Sequence, residues 1–338
     1  MEGTIVITGA TGSLALQAIQ QIISMYPSIS IIATARDPKA SPKSPYLLQL
    51  EETRSHHGAS KFLIEYLDLS SIPEVRAFTS KIVGLVDSQE LPPIKAIFCN
   101  AFTWSLDGLR FSSDRMESTF QVNHLAHFLL VLRLLQSMDH ELGRIVMFSS
   151  EVHDPENINP LSKLGAKLPT NENLDQLIKP GPDRIGSEHD MGWRRYANSK
   201  LANVMFMQSL NKRLQKARAA RSPKLSKITV TAVDPGGLVE SRAHEAQRTI
   251  NRILFWLFAM MLPIVNVFTN KLRSNANSAR DVVALGLGPE FASRRGHFNG
   301  RRAQPPARIS EDDERCEALW KACWKWVDMK QSDTCVSA

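Results

Sequence analysis

A short apolar run, Thr4–Thr8, stops at Gly9-Ala10-Thr11-Gly12-Ser13-Leu14-Ala15 and passes straight into an amphipathic stretch. That strand–glycine turn–helix unit sets the pattern for most of the chain. Comparable runs recur at Ser30–Ala35, Phe62–Leu67, Ala96–Cys99, Arg144–Phe148 and Lys227–Val233, most of them followed by a helical stretch. Strands that read as continuous Ile- and Val-rich runs, rather than alternating, are buried on both faces. Strands interleaved with helices make a parallel sheet covered on both sides. The expected class is therefore α/β: one doubly wound parallel sheet with helices on both faces.

Two domains would suit 338 residues by length alone. No linker separates two halves, however, and three segments read as insertions into one unit spanning 1–338. Glu151–Arg195 holds several Pro, Gly and Asn residues and no sustained period. Arg242–Arg273 contains the apolar run Ile253–Val265. Gly300–Ile309 is basic and carries Pro305 and Pro306. As a helix the 253–265 run spans ~20 Å, against a bilayer core of ~30 Å, and Pro263 interrupts it. It is expected to line or cap a pocket; peripheral membrane contact and a dimer interface are the alternatives. At the end of the chain, 310–329 reads as an amphipathic helix. Cys316, Leu319, Trp320, Cys323, Trp324 and Val327 share its apolar face, and Ser310 with Asp313 marks its start.

Composition removes several classes. With 43% hydrophobic and 22% charged residues, the chain is not a disordered, collagenous or coiled-coil protein. Its 4 Cys form no CxxC pair, and neither they nor the His residues are spaced as a metal site. The net charge of +7 is scattered; its densest part, Asn211–Lys227, carries no nucleic-acid-binding motif and reads as a solvated helix end and loop. No signal-like segment precedes the first strand, so a cytoplasmic setting is expected.

Two regions point to chemistry. The Gly9–Ala15 turn brings backbone close to a pyrophosphate and offers it the N-terminus of a helix. The second strand ends in Ala35-Arg36-Asp37. A guanidinium there grips a 2′-phosphate, which favours NADP over NAD. Asp68, closing the third strand, is placed to accept from an adenine amino group. The second region is Tyr196-Ala197-Asn198-Ser199-Lys200. Tyr196 and Lys200 sit at i and i+4 on one helical face. Bringing a phenol from pKa ~10 to neutrality takes about 4 kcal/mol. An ammonium at ~4 Å supplies a similar amount at an effective dielectric of ~20. Ser150, just past the fifth strand, is placed to hold a carbonyl oxygen, and Asn123 to fix a water beside Lys200. His127 reads as a packed or solvated residue, while His153 and His189 lie within the insertion.

These motifs together resemble the short-chain dehydrogenase/reductase family. The similarity is strongest to its branch of retinol dehydrogenases, WW-domain oxidoreductases and protochlorophyllide reductases. It rests on Thr8–Ala15, Thr34–Asp37, Leu67–Leu69, Cys99–Ala101, Val122–Leu130, Gly143–Ser150, Tyr196–Lys200, Asp234–Gly237 and Gly296–Gly300. The resemblance implies a single Rossmann-type NADP(H)-binding domain with insertions over the active site. It implies a catalytic tetrad of Asn123, Ser150, Tyr196 and Lys200, with Tyr196 as the general acid. It also implies cofactor contacts from Gly9, Thr11, Gly12, Ser13, Leu14, Arg36, Asp68, Leu69, Asn100, Ala101, Pro235, Gly236 and Leu238, besides Tyr196 and Lys200. Ser241 stands where the family has Thr, and Phe102 where its NNAG motif has Gly. Ser150 and Tyr196 are unusually far apart, so 151–195 is expected to lie over the pocket and 242–273 to act as an apolar lid.

The expected activity is NADPH-dependent reduction of a ketone or aldehyde on an apolar substrate, polyketide-like, retinoid-like or steroid-like. The resemblance extends to fungal reductases that tailor secondary metabolites. The alternatives are an NADP-binding regulatory protein without catalysis and an extended-type nucleotide-sugar epimerase or dehydratase. Nucleic acid is not an expected partner, no integral membrane span is expected, and monomer and homodimer both remain open.

Overall fold

The computed structural model describes residues 2–37, 43–56, 61–157, 164–216, 223–238 and 272–338. Its main sheet contains β1 (Gly3–Ile7), β2 (Ile29–Ala35), β3 (Phe62–Tyr66), β4 (Ile94–Cys99), β5 (Arg144–Phe148), β6 (Thr229–Asp234), β9 (Gly296–Asn299) and β10 (Arg302–Ala303). Their order is β10-β9-β6-β5-β4-β1-β2-β3. Every neighbouring pair is parallel except the β9–β10 hairpin. Two short strands, β7 (Gly237–Leu238) and β8 (Leu272–Arg273), pair separately.

Burial explains the strands. Every residue of β1, β2, β5 and β6 is buried, polar ones such as Thr4, Thr231 and Asp234 included, as strands covered on both faces are. On one face α1 (Ser13–Met25) and a later helix, Asn275–Leu287, cover the sheet. On the other lie α3 (Ile72–Asp87), the helix Ala126–Leu134 and the long helix Glu188–Lys216. With α2 (Pro45–Ser55) counted in chain order, Ala126–Leu134 is α4, Glu188–Lys216 is α5 and Asn275–Leu287 is α6. The C-terminal α7 (Asp313–Trp326) packs its Cys316, Leu319, Trp320 and Cys323 on the second face.

The six expected strands are present, with ends shifted by one or two residues. Four expectations change. The hairpin β9–β10 adds two strands that the sequence does not announce, because Gly296-His297-Phe298-Asn299 has no apolar run. α5 begins at Glu188, so the last two turns of the supposed 151–195 insertion are helix. α7 is capped by Asp312, whose carboxylate accepts from the Arg315 N–H at 3.1 Å; Ser310 instead donates to the Ala307 carbonyl at 2.6 Å. Lys212 and Arg213, from the basic run, pair with Asp313 and Glu317 of α7 rather than only facing solvent.

β1 lies between β2 and β4, so the winding reverses there and opens a crevice at the carboxyl ends of the strands. No helix among the described residues is long and apolar enough to cross a membrane. The Ile253–Val265 run lies outside the described residues.

Four histidines, His124, His127, His153 and His297, are sealed in the interior, and burial lowers all of them. Burial lowers His124 to about 4, and His127 and His297 to about 3. Each stays neutral when folded and takes a proton on unfolding. Stability therefore falls as pH drops from about 6.5 to 4, by up to about 1.4 kcal/mol per unit per ring. Asp234, raised to about 6, opposes this with a single group. Melting temperature measured across that window should fall steeply, and His127→Gln should flatten the slope.

Candidate active site

The glycine turn is built to approach something closely. Gly9 has φ +64°, and a Cβ there would stand 2.9 Å from the Ala101 Cα. Only glycine meets both demands. Asn100 ties the turn down by donating from Nδ2 to the carbonyls of Thr8 (2.9 Å) and Gly9 (3.2 Å). The Ala101 N–H donates to Thr8 Oγ1 (3.0 Å), which also pairs with His127 Nε2 (2.9 Å). His127 is thus a buried brace, as its packing role predicted. Gly12 caps α1 without a side-chain hydrogen bond, and no acidic residue occupies the first turn. The helix N-terminus at Ser13 and Leu14 therefore suits an anion. Thr11 is half-buried within the turn, Ala35 is buried, and Arg36 is exposed beyond β2. Asp68 is half-buried; its Oδ1 accepts from the Ser70 N–H (2.9 Å) and hydroxyl (2.7 Å), beside buried Leu69. The cradle fits a dinucleotide: close backbone, an open helix end and a cation past the second strand.

Across the crevice, α5 supplies Tyr196 and Lys200. Lys200 is 2% exposed, and its ammonium donates to the Phe148 carbonyl at 3.2 Å. Asn203 donates to that same carbonyl (3.0 Å) and to the Asn123 carbonyl (3.2 Å). Asn123 sits in a π-helical turn, Gln121–Leu125, leading into α4. Its side chain accepts from the Thr103 N–H (2.7 Å) and donates to the Thr103 carbonyl (2.9 Å) and Ser199 Oγ (3.0 Å). The four expected residues therefore come from the turn after β5, the π turn and α5.

The electrostatics differ from the sequence-based expectation. Lys200 lies over the face of the Tyr196 ring, 5.4 Å from its centre. Burial, reinforced by the Asp234 carboxylate, pushes the Tyr196 phenol up, and the hydrogen bond with Ser150 only partly opposes this. Burial lowers Lys200 to about 7, with Asp234 opposing. Desolvation thus dominates both groups. Pro235 and Gly236 follow β6. The Gly236 N–H donates to Asp234 Oδ1 (2.8 Å), and the Pro235 carbonyl accepts from Ser278 (2.7 Å). Leu238 is described only as backbone in β7, and Ser241 lies outside the described residues.

The described residues of the 151–195 segment make several contacts near Ser150 and Tyr196. His153 bonds the Ser150 carbonyl (2.7 Å), and its Nε2 accepts from the Ala307 N–H (3.3 Å). Asn198 Oδ1 accepts from the Lys167 N–H (2.7 Å). Arg195, next to Tyr196, pairs with Asp183 at 2.5 Å and lies 3.6 Å from Glu117, with all three largely buried. A Cβ on Gly192 would collide with the Ser105 carbonyl oxygen, so glycine lets α5 meet that loop. Arg195 next to the Tyr196 motif was the one available signal. His189 is only partly exposed near Asp190 and takes no part. No cluster among the described residues has the composition of a metal site.

A family model described as the AcuH dehydrogenase domain matches residues 241–336. The short-chain dehydrogenase iccH of Talaromyces variabilis is 28% identical over 100% of this chain and 99% of its own. The human WW domain-containing oxidoreductase is 26% identical over 94% of this chain; the chain spans 66% of that protein. Among solved structures, a variant actinorhodin polyketide ketoreductase with NADPH superposes with a TM-score of 0.55. It is 18% identical, over 88% of this chain and 96% of the other, a likeness of fold.

Replacing Arg195 with Met strands two buried carboxylates and should cost about 3 to 5 kcal/mol. Adding Glu117→Gln should recover part of that loss. Denaturant unfolding of the single and double variants measures both.

Proposed function

We propose that this chain, which belongs with the short-chain dehydrogenases/reductases by its relatives and its fold, reduces a ketone or aldehyde of an apolar substrate with NADPH. One observation carries the proposal: the buried Tyr196 hydroxyl, raised by that burial, is bonded to Ser150, which follows β5 as the Gly9–Leu14 turn follows β1 in the same parallel sheet. The relative named a short-chain dehydrogenase and the neighbouring ketoreductase with NADPH support hydride chemistry.

When bound, the dinucleotide supplies the hydride. The chain does the rest. The turn and the α1 N-terminus hold the pyrophosphate, and Arg36 pairs with the 2′-phosphate. Ser150 Oγ orients the carbonyl oxygen. Tyr196 gives its proton to that oxygen as charge develops on it. Lys200 holds ribose hydroxyls and replenishes the tyrosine proton through water at Asn123. A phenol raised by burial stays protonated at neutral pH, and the charge developing on the carbonyl oxygen is what draws the proton from it.

Tyr196→Phe should lower kcat by roughly 10²- to 10⁴-fold while NADPH affinity changes little. Intact turnover in that variant would reject the assignment. Absence of turnover even in the parent protein, despite NADPH binding, would favour an NADP-binding regulator. Arg36→Asp should weaken NADPH by roughly 10- to 100-fold and leave NADH nearly unaffected; equal losses would remove Arg36 from the phosphate site. Because kcat/KM reports groups of the free enzyme, it should fall as pH rises through about 7, where Lys200 loses its charge.

A further inference from the structure

We infer that Phe102 and Trp104 form an aromatic subsite for the substrate, and that the site takes flat, conjugated carbonyl compounds in preference to saturated ones of equal size. This rests on the reductase reading above and names the substrate class for it. Phe102 stands where the resembled family has glycine, and its side chain is not packed away: it is 41% exposed. Its ring centre lies 6.0 Å from that of Tyr196 and 5.3 Å from the Lys200 ammonium. Trp104, half-buried, lies 5.9 Å from Phe102 and 5.3 Å from Tyr196. Buried Trp193 backs the cluster, 5.4 Å from Trp104 and 5.7 Å from Tyr196. The proton donor is thus set in a nest of rings, two of which reach the surface at its edge.

The ribbon carrying these rings is fixed at each step. Ala101 is tied to Thr8, Thr103 is held through both backbone groups by Asn123, and the Ser105 carbonyl accepts from Arg195 at 3.3 Å. A shelf already ordered costs little further entropy when a ligand docks. Aliphatic and aromatic ligands both gain from burial on it. Only a flat π system gains the offset or edge-to-face attraction as well, about two- to tenfold in affinity per ring.

The test is calorimetric binding of 1-tetralone and 1-decalone, matched ten-carbon ketones, to the full chain with and without NADP⁺. The oxidised cofactor keeps the ketones from being reduced. Binding of tetralone about tenfold tighter than decalone, reduced to about twofold in Phe102→Leu and largely kept in Trp104→Phe, is the expected result. Equal binding of the two ketones, binding of neither, or a preference unchanged in a Phe102→Leu protein of unaltered melting temperature overturns the subsite. NADPH-driven turnover is followed in parallel. A tetralone preference without turnover supports the shelf and rejects the reductase reading. Turnover of both ketones without a preference in binding does the reverse.

Discussion

The site depends on keeping one ammonium group in the protein interior. Lys200 is almost without solvent, and lowering it to about 7 corresponds to something on the order of 5 kcal/mol. Such a group is tolerated only where fixed dipoles and charges replace water. The Phe148 carbonyl at the end of β5, the rings of Tyr196 and Phe102, and the Asp234 carboxylate do so. The same Phe148 carbonyl receives Asn203, which reaches Asn123, which clamps Thr103. One buried cation and one carbonyl therefore sit at the centre of a network that joins β5, α5, the π turn and the loop after β4.

That arrangement shifts the chemical emphasis. A lysine pressed against the hydroxyl of a tyrosine would favour the phenolate and prepare the pair to remove a proton. Here the ammonium addresses the ring face, and desolvation governs both side chains. The phenol is therefore stabilised as an acid, with Ser150 as its hydrogen-bonding partner. Under the proposed reductase reading the proton has to be present at the start of the step, and burial of Tyr196 keeps its phenol protonated at neutral pH.

What was legible in the sequence was what is local. Six strands followed from unbroken apolar runs, the glycine turn from its place between strand and helix, and the Tyr196–Lys200 pair from its i, i+4 spacing. β9 and β10 were hidden because Gly296, His297 and Asn299 carry no apolar period. The beginning of α5 was hidden because Glu188–Arg195 is polar and charged. The Asp183–Arg195–Glu117 cluster, the Asn203 bridge and the contact of His153 with Ala307 join residues distant in the chain. Only the fold brings them together. Phe102 stood out in the sequence as a departure beside the cofactor, but its neighbours Trp104 and Trp193 became meaningful only once their rings were placed around Tyr196.

The end of the chain fastens much of this. Asp333 pairs with both Arg76 of α3 and Arg133 of α4. Arg315 of α7 donates to the Pro169 carbonyl and to Asn171, and Trp326 to Asp175, within the segment between β5 and α5. The β1–α1–β2 cradle, by contrast, is written in the first 35 residues. In vectorial synthesis the residues of that cradle are made before those of α7, so the contacts that anchor the walls around Tyr196 form only after the cradle's own strands exist.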